Sequence, residues 1–417
     1  MKVFKLGGAG ISNIGRIKAA AGIVEKEQGR ILIVLSAMGK TTNALEKVAE
    51  AFYESKSELA LELFGAIKKE HLSIFKELVN KAADEKILSF FTEIEWLLHD
   101  KPVREYDYYY DQIVCIGELL SSAIVSAYFN EVGIKNALVD VRDVMRTDDN
   151  FREGNVDISY TERGTTEIIA PLLKKISVVI TQGFIGSTDE NESTTLGREG
   201  SDYTAALLAN MLNAESLTIW KDVEGVMSAD PKEFKDAKLI DELSYEEVIE
   251  MSYYGAQVIH PKTIKPLQNK NIPMHVRSFL NTKLKGTTIS KKAGNKLPAI
   301  IVLKQKQVLI ELISKDYSFV GEKPVSELYK LFAELHIKPN LTQNGAISLL
   351  ICLDDHPEKI EALALAASDI FDVKVQKGLT LLTVRHYTDK VINDLLKDRK
   401  VLLEQKTRST VQYLMEV

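Results

Sequence analysis

Short apolar runs alternate with longer stretches of helical spacing from residue 1 to about residue 277. Val3–Leu6, Ile31–Leu35, Ala137–Val141, Ile176–Thr181, Ser216–Trp220 and Ile272–Val276 read as strands. The unbroken apolarity of Ile31–Leu35 marks a strand covered on both faces. Between them, residues 51–130 place Leu, Phe and Ile at three- and four-residue spacing among Lys and Glu, which predicts helices. One apolar helix is expected over Asp111–Asn130, closed by Gly133, and another over Leu243–Tyr254. Strands alternating with helices predict an α/β domain, a mostly parallel sheet sandwiched by helices, over residues 1–280. Residues 281–300 are polar and read as a linker. Over 301–417 the order changes to β-α-β-β-α-β with further short strands, a small α+β region of two units, the second short.

Composition adds limits. The 417 residues are 45% hydrophobic and 27% charged, with a net charge of −6, so no nucleic-acid partner is expected. Apolar runs such as Ile31–Leu35 are too short to span a membrane, and no signal-peptide pattern precedes Val3–Leu6. The two cysteines, Cys115 and Cys352, sit in apolar runs and form no framework. With the histidines scattered, no protein-held metal site is expected, and the chain reads as cytoplasmic.

Candidate chemistry gathers at the strand ends. The loop Gly197–Gly200 carries Arg198 and runs through Ser201 and Asp202 into an apolar helix. Ser201 or Asp202 is expected to cap that helix, whose free N–H groups suit an anion. Lys5 precedes Gly7 and Gly8, a glycine turn that lets backbone N–H groups approach phosphate oxygens. The dinucleotide pattern fails here because Asn13 takes the third glycine's place. Gly39-Lys40-Thr41 resembles the end of a P-loop, but Val34 stands where its first glycine belongs. Ser36 and Thr42 offer hydroxyls after a parallel strand, with Thr42 or Asn43 alternatively capping the next helix. Glu118 interrupts an apolar helix, where it must face solvent or find a partner. Lys221 and Asp222 open a long loop that ends at Pro231 and suits a nucleotide.

Seven stretches together, KLGG (5–8), VLSA (34–37), GEL (117–119), LGREGSDYTAALLA (196–209), WKDVEGVMSADP (220–231), YGAQVIHP (254–261) and NIPMHV (271–276), resemble the aspartate kinases of the amino acid kinase family. Residues 301–417 resemble, less specifically, the ACT domains that follow the kinase domain in that family. The resemblance implies transfer of phosphate from ATP, as Mg-ATP with Mg2+, to the side-chain carboxylate of L-aspartate. It implies that Lys5, Leu6, Gly7 and Gly8 hold the phosphates, with Lys5 and Asp202 catalytic. It assigns Ser36, Thr42, Glu118, Arg198 and Ser201 to the amino acid, and Lys221, Asp222, Met227 and Lys232 to the nucleotide. It also implies a homodimer or higher homo-oligomer and an amino-acid effector at the ACT-like region.

Four departures stand out. The family's KFGGTS reads KLGGAG, and its GRGG reads GREG, which sets Glu199 beside an anion site. Gln257 stands where many members carry a lysine that approaches ATP, and Gln343-Asn344-Gly345 where an effector loop often reads Thr-Ser-Glu. Another small-molecule kinase of this fold and a non-catalytic amino-acid sensor stay open as alternatives.

Overall fold

The computed structural model describes residues 1–80, 85–256, 259–292 and 297–416, except the side chains of 322 and 323. The chain forms two compact units: Met1–Val226, Leu239–Ile249 and Gln257–Gly294 make the first, and Met227–Lys238, Glu250–Ala256 and Asn295–Val417 the second.

In chain order, β1 (Lys2–Leu6) leads through a tight 3-10 turn (Gly8–Ile11) to α1 (Ile14–Glu25), and β2 (Ile31–Leu35) leads to α2 (Thr41–Tyr53). Asn13, which breaks the dinucleotide pattern, caps α1 by accepting from the Arg16 N–H at 3.0 Å. Four helices follow: α3 (Ser57–Leu78), α4 (Glu85–His99), α5 (Tyr106–Val114) and α6 (Ile116–Glu131). After β3 (Asn136–Val139), α7 (Ile158–Gly164) and α8 (Ala170–Lys175) come β4 (Val178–Gln182) and the hairpin of β5 (Ile185–Ser187) and β6 (Ser193–Thr195). Then α9 (Gly200–Met211), β7 (Ser216–Lys221), β8 (Glu242–Ser244), α10 (Tyr245–Tyr253), α11 (Pro261–Lys270), β9 (Met274–Ser278) and β10 (Thr287–Ser290) complete the series.

The large sheet has the order β3-β4-β2-β1-β7-β9-β10-β8 and is parallel except where β10 meets β9. It buries Phe4, Leu6, Ile33 and Leu35 against helix residues such as Phe52 and Phe129. β1 lies between β2 and β7. The chain therefore leaves β1 in one direction for β2 and returns on its other side, and in open α/β sheets ligands bind where that order reverses.

Several expectations are corrected. The helix expected over Asp111–Asn130 starts earlier, with α5 at Tyr106, and is broken at Cys115. The stretch Tyr106–Glu131 is long and apolar enough to cross a bilayer, contrary to the reading of short runs only, but it is buried inside the fold. Glu242–Ser244 is strand rather than helix because it pairs with β10. The stretch 281–300, read as a linker, carries β10, whose Thr-Thr-Ile-Ser alternation is masked by the surrounding Lys and Gly. No side-chain bond from Thr42 or Asn43 caps α2, which the chain enters from Gly39 at φ +57°.

The second unit holds β11 (Ile300–Ser314), α12 (Glu322–Glu334), β12 (Leu341–Asn344), β13 (Ser348–Asp354), α13 (Pro357–Ala367), β14 (Phe371–Arg385), α14 (Asp389–Leu396), β15 (Val401–Lys406) and β16 (Thr410–Glu416). Its strands form one antiparallel sheet, β12-β13-β11-β14-β16-β15. The two long central strands each serve two packing layers. Val308, Ile310 and Leu312 meet Leu328 and Phe332 of α12 and Leu363 of α13. Leu382 and Val384 meet Ile392 of α14.

Candidate active site

Three adjacent parallel strands deliver polar side chains to one place. Lys5 stands next to the end of β1, Ser36 follows β2, and Lys221 ends β7; all three line a cavity of about 760 Å3. Thr42, Glu118, Arg198, Ser201 and Asp202 line it too.

Its floor is an ion pair. The Lys5 Nζ lies 2.7 Å from Asp202 Oδ1, with the Lys5 side chain 12% and the Asp202 side chain 4% exposed. Asp202 Oδ1 has no hydrogen-bond partner among the described residues, so the contact is an ion pair without a directed hydrogen bond. Gly7 lies beneath the ammonium: a Cβ there would sit 3.2 Å from Nζ. Gly8 packs on the loop after β2, where a Cβ would come within 2.6 Å of the Ala37 carbonyl oxygen. Gly7 therefore adjoins the Lys5 ammonium, Gly8 adjoins the loop after β2 and Leu6 is buried in the core; none of the three lines the cavity.

Glu118 occupies the first turn of α6 and is 2% exposed. Gly117 allows this approach, since a Cβ there would stand 2.9 Å from the Ala37 Cβ. Glu118 Oε1 accepts from the Ala37 N–H at 3.0 Å, while Oε2 has no partner among the described residues. Burial raises the Glu118 pKa to about 8, against the pull of the Ala37 N–H and the Lys5 charge. The solvent-face alternative for Glu118 is thereby overturned.

The glycine loop is shaped differently from the sequence expectation. Ser201 and Asp202 are not caps but lie within the first turn of α9. Glu199 is the capping residue, in a left-handed conformation at φ +55°, and no side chain caps the helix start. Its carboxylate accepts from the His260 N–H at 2.7 Å. This ties His260, just before α11, to the loop and gives the Glu199 carboxylate a partner. Ser36 Oγ donates to Ser201 Oγ at 2.9 Å. Arg198 is exposed and has no ion pair among the described residues.

Not every expected residue comes to the cavity. Asp222 is exposed beyond Lys221 and does not line it. Met227 and Lys232 fall in the second compact unit and do not line it. Gln257 lies outside the described residues.

The structure adds a wall that the sequence did not announce. Glu46 lies one turn after Thr42 on α2 and accepts from the Tyr110 hydroxyl at 2.7 Å. Arg152 donates to Asp107 Oδ1 at 3.0 Å and stacks its guanidinium 4.5 Å from the Tyr110 ring centroid. Phe184 joins them on the cavity lining. Arg152, Phe184 and Glu199 all have positive φ, at +68°, +72° and +55°. Residues held in this sparsely populated region cluster at functional sites. The positive-φ requirement leaves no signature that sequence spacing could expose.

A model described as the amino acid kinase family matches residues 1–278. Lysine-sensitive aspartokinase 3 of Escherichia coli is 31% identical over 404 residues, covering 95% of this chain and 88% of its own. Aspartokinase 1, chloroplastic, of Arabidopsis thaliana is 30% identical over 384 residues, covering 88% of this chain and 65% of its own. Among solved structures, E. coli aspartokinase III in complex with aspartate and ADP is similar with a TM-score of 0.85 at 28% identity, covering 100% of this chain and 96% of that one. The same protein in complex with lysine and aspartate gives 0.81 at 28% identity, covering 99% and 95%. With the cavity at the expected strand ends, the chain belongs to the amino acid kinase family and, within it, to the aspartokinases.

Proposed function

We infer that this chain phosphorylates the side-chain carboxylate of L-aspartate with ATP, giving 4-phospho-L-aspartate and ADP. That acyl phosphate opens the route to lysine, threonine and methionine. The observation that carries the reading is one cavity holding both the Lys5–Asp202 pair and a buried acid with an unpartnered oxygen, Glu118. The E. coli relative solved with aspartate and ADP supports it.

The chemistry needs no strong base, because a carboxylate is already a nucleophile; alignment and charge neutralisation set the rate. Glu118 Oε2 takes the substrate ammonium. Arg198 takes a substrate carboxylate, and the Ser36–Ser201 hydroxyl pair and Thr42 fix the rest of the amino acid. The side-chain oxygen then forms a bond to the γ-phosphorus as the bond to the β–γ bridging oxygen breaks. Lys5 neutralises the charge that spreads over the moving phosphoryl oxygens. Asp202 holds the ammonium in place. Gly7, lacking a side chain, leaves the Lys5 ammonium uncrowded, and Lys221 faces the same cavity from β7.

Magnesium fits as a companion of the nucleotide. Asp202 is the carboxylate beside the phosphate position, and the described residues hold no cluster of three or more ligating side chains. Bound there, the ion would supply charge neutralisation between the phosphates. The two buried thiols, Cys115 and Cys352, suit a reducing cytoplasmic setting. The antiparallel sheet of the second unit leaves β12 and β15 as edges, which suits assembly into a homodimer or higher homo-oligomer. An amino-acid effector belongs to the same ACT-like unit in this reading, and the E. coli relative has been solved in complex with lysine.

Hydroxylamine trapping tests the reaction itself. With Mg-ATP and L-aspartate, aspartyl hydroxamate should form in step with ADP. Absence of hydroxamate at saturating aspartate contradicts the reading.

A further inference from the structure

We propose that Arg152 is a specificity-determining residue for the acceptor, supplying a second guanidinium to the acid group that is not phosphorylated. The inference rests on the aspartate kinase reading above and adds a recognition element from the polar loop before α7.

Three observations carry it. First, the loop is built into the site. Asp111 Oδ2 accepts from the backbone N–H groups of Arg152 at 2.9 Å and Thr195 at 2.8 Å, and Asp111 is fully buried. The Gly154 N–H also donates to the Thr195 carbonyl at 2.9 Å. A Cβ on Gly197 would lie 3.2 Å from the Arg152 carbonyl oxygen, so the loop abuts the residue next to Arg198.

Second, the guanidinium is aimed and held. Asp107 grips one nitrogen at 3.0 Å, and the Tyr110 ring lies 4.5 Å beneath. Tyr110 is itself fixed by Glu46, on the same helix as Thr42. Arg152, Tyr110, Glu46 and Thr42 all line the cavity, which places this cation on the acceptor side. One nitrogen is engaged by Asp107, and guanidinium has five N–H donors, so its fork keeps capacity for a carboxylate.

Third, the backbone at this position is a glycine conformation. At φ +68°, the arginine is held by Asp111, which accepts its N–H, and by the Tyr110 ring under its side chain.

The conformation also supplies the test. Arg152→Gly removes the guanidinium while suiting the backbone, and Arg152→Lys restores a charge without the fork. Steady-state kinetics are measured with L-aspartate and with its α-amide, which lacks the second acid group. Arg152→Gly should raise the KM for aspartate by roughly tenfold or more and leave the KM for ATP unchanged. The preference for aspartate over the α-amide should fall by the same factor, with partial recovery in Arg152→Lys. Unchanged aspartate KM and unchanged preference in Arg152→Gly overturn the proposal. So does an equal loss with both acceptors, which marks a structural role. Failure of the parent enzyme to turn over aspartate instead overturns the underlying functional reading.

Discussion

Glu118, which lines the cavity, accepts the Ala37 N–H at 3.0 Å through one carboxylate oxygen and leaves the other, also buried, without a partner among the described residues. One oxygen anchors the acid to the loop after β2.

That arrangement makes aspartate binding dependent on pH. With its pKa raised to about 8 by burial, Glu118 is protonated in the free enzyme at pH 6–7. Taking a substrate ammonium requires the carboxylate, so binding releases a proton. The KM for aspartate should therefore fall about tenfold per pH unit between pH 6 and 7.5 and level off above 8. Kinetics across that range, with calorimetry in two buffers to count released protons, check it. A pH-independent aspartate KM contradicts the assigned role.

The same burial has a stability cost. The folded pKa of about 8 exceeds the ordinary value of 4.5, so between these values the folded state keeps a proton that the unfolded chain releases. The destabilisation is absent below pH 4.5 and grows as pH rises toward 8. Glu118→Gln should thus stabilise the protein by about 1–4 kcal/mol at pH 8, with little gain near pH 4.5. It should also abolish tight aspartate binding. Thermal unfolding at both pH values reads the first effect, and a variant no more stable than the parent at pH 8 contradicts it.

Gly8 offers a steric test of the phosphate cradle. A methyl group there would come within 2.6 Å of the Ala37 carbonyl oxygen, and backbone must move to admit it. Gly8→Ala should cost about 1–3 kcal/mol in stability. It should also weaken ATP binding, because Gly8 belongs to the turn after Lys5, and aspartate binding, because the displaced Ala37 anchors Glu118. Calorimetric titration of each ligand separates the two.

Much of this was legible from residues alone, for physical reasons. Ile31–Leu35 is apolar without a break because the sheet covers both its faces, and such strands announce themselves. Lys5 and Arg198 adjoin glycine turns, so loops that need backbone freedom mark their own place. β10 was missed because its four residues pair only through tertiary contacts with β9 and β8. Arg152 was hidden for a related reason. Its place in the cavity depends on Asp111, far away in sequence, and on a positive φ that arginine does not advertise. Ser201 and Asp202 look like caps by composition, yet the left-handed Glu199 starts the helix earlier and places both inside it.

The most direct test of the whole account is a double-mutant cycle on turnover with Lys5→Met, Asp202→Asn and the pair together. If the 2.7 Å ion pair acts as one unit on the transferring phosphoryl group, each single change should lower kcat by about a thousandfold. The aspartate KM should stay close to the parent's, and the double variant should be no slower than the worse single one. Losses that multiply in the double variant, or single variants that keep parental kcat, would contradict it.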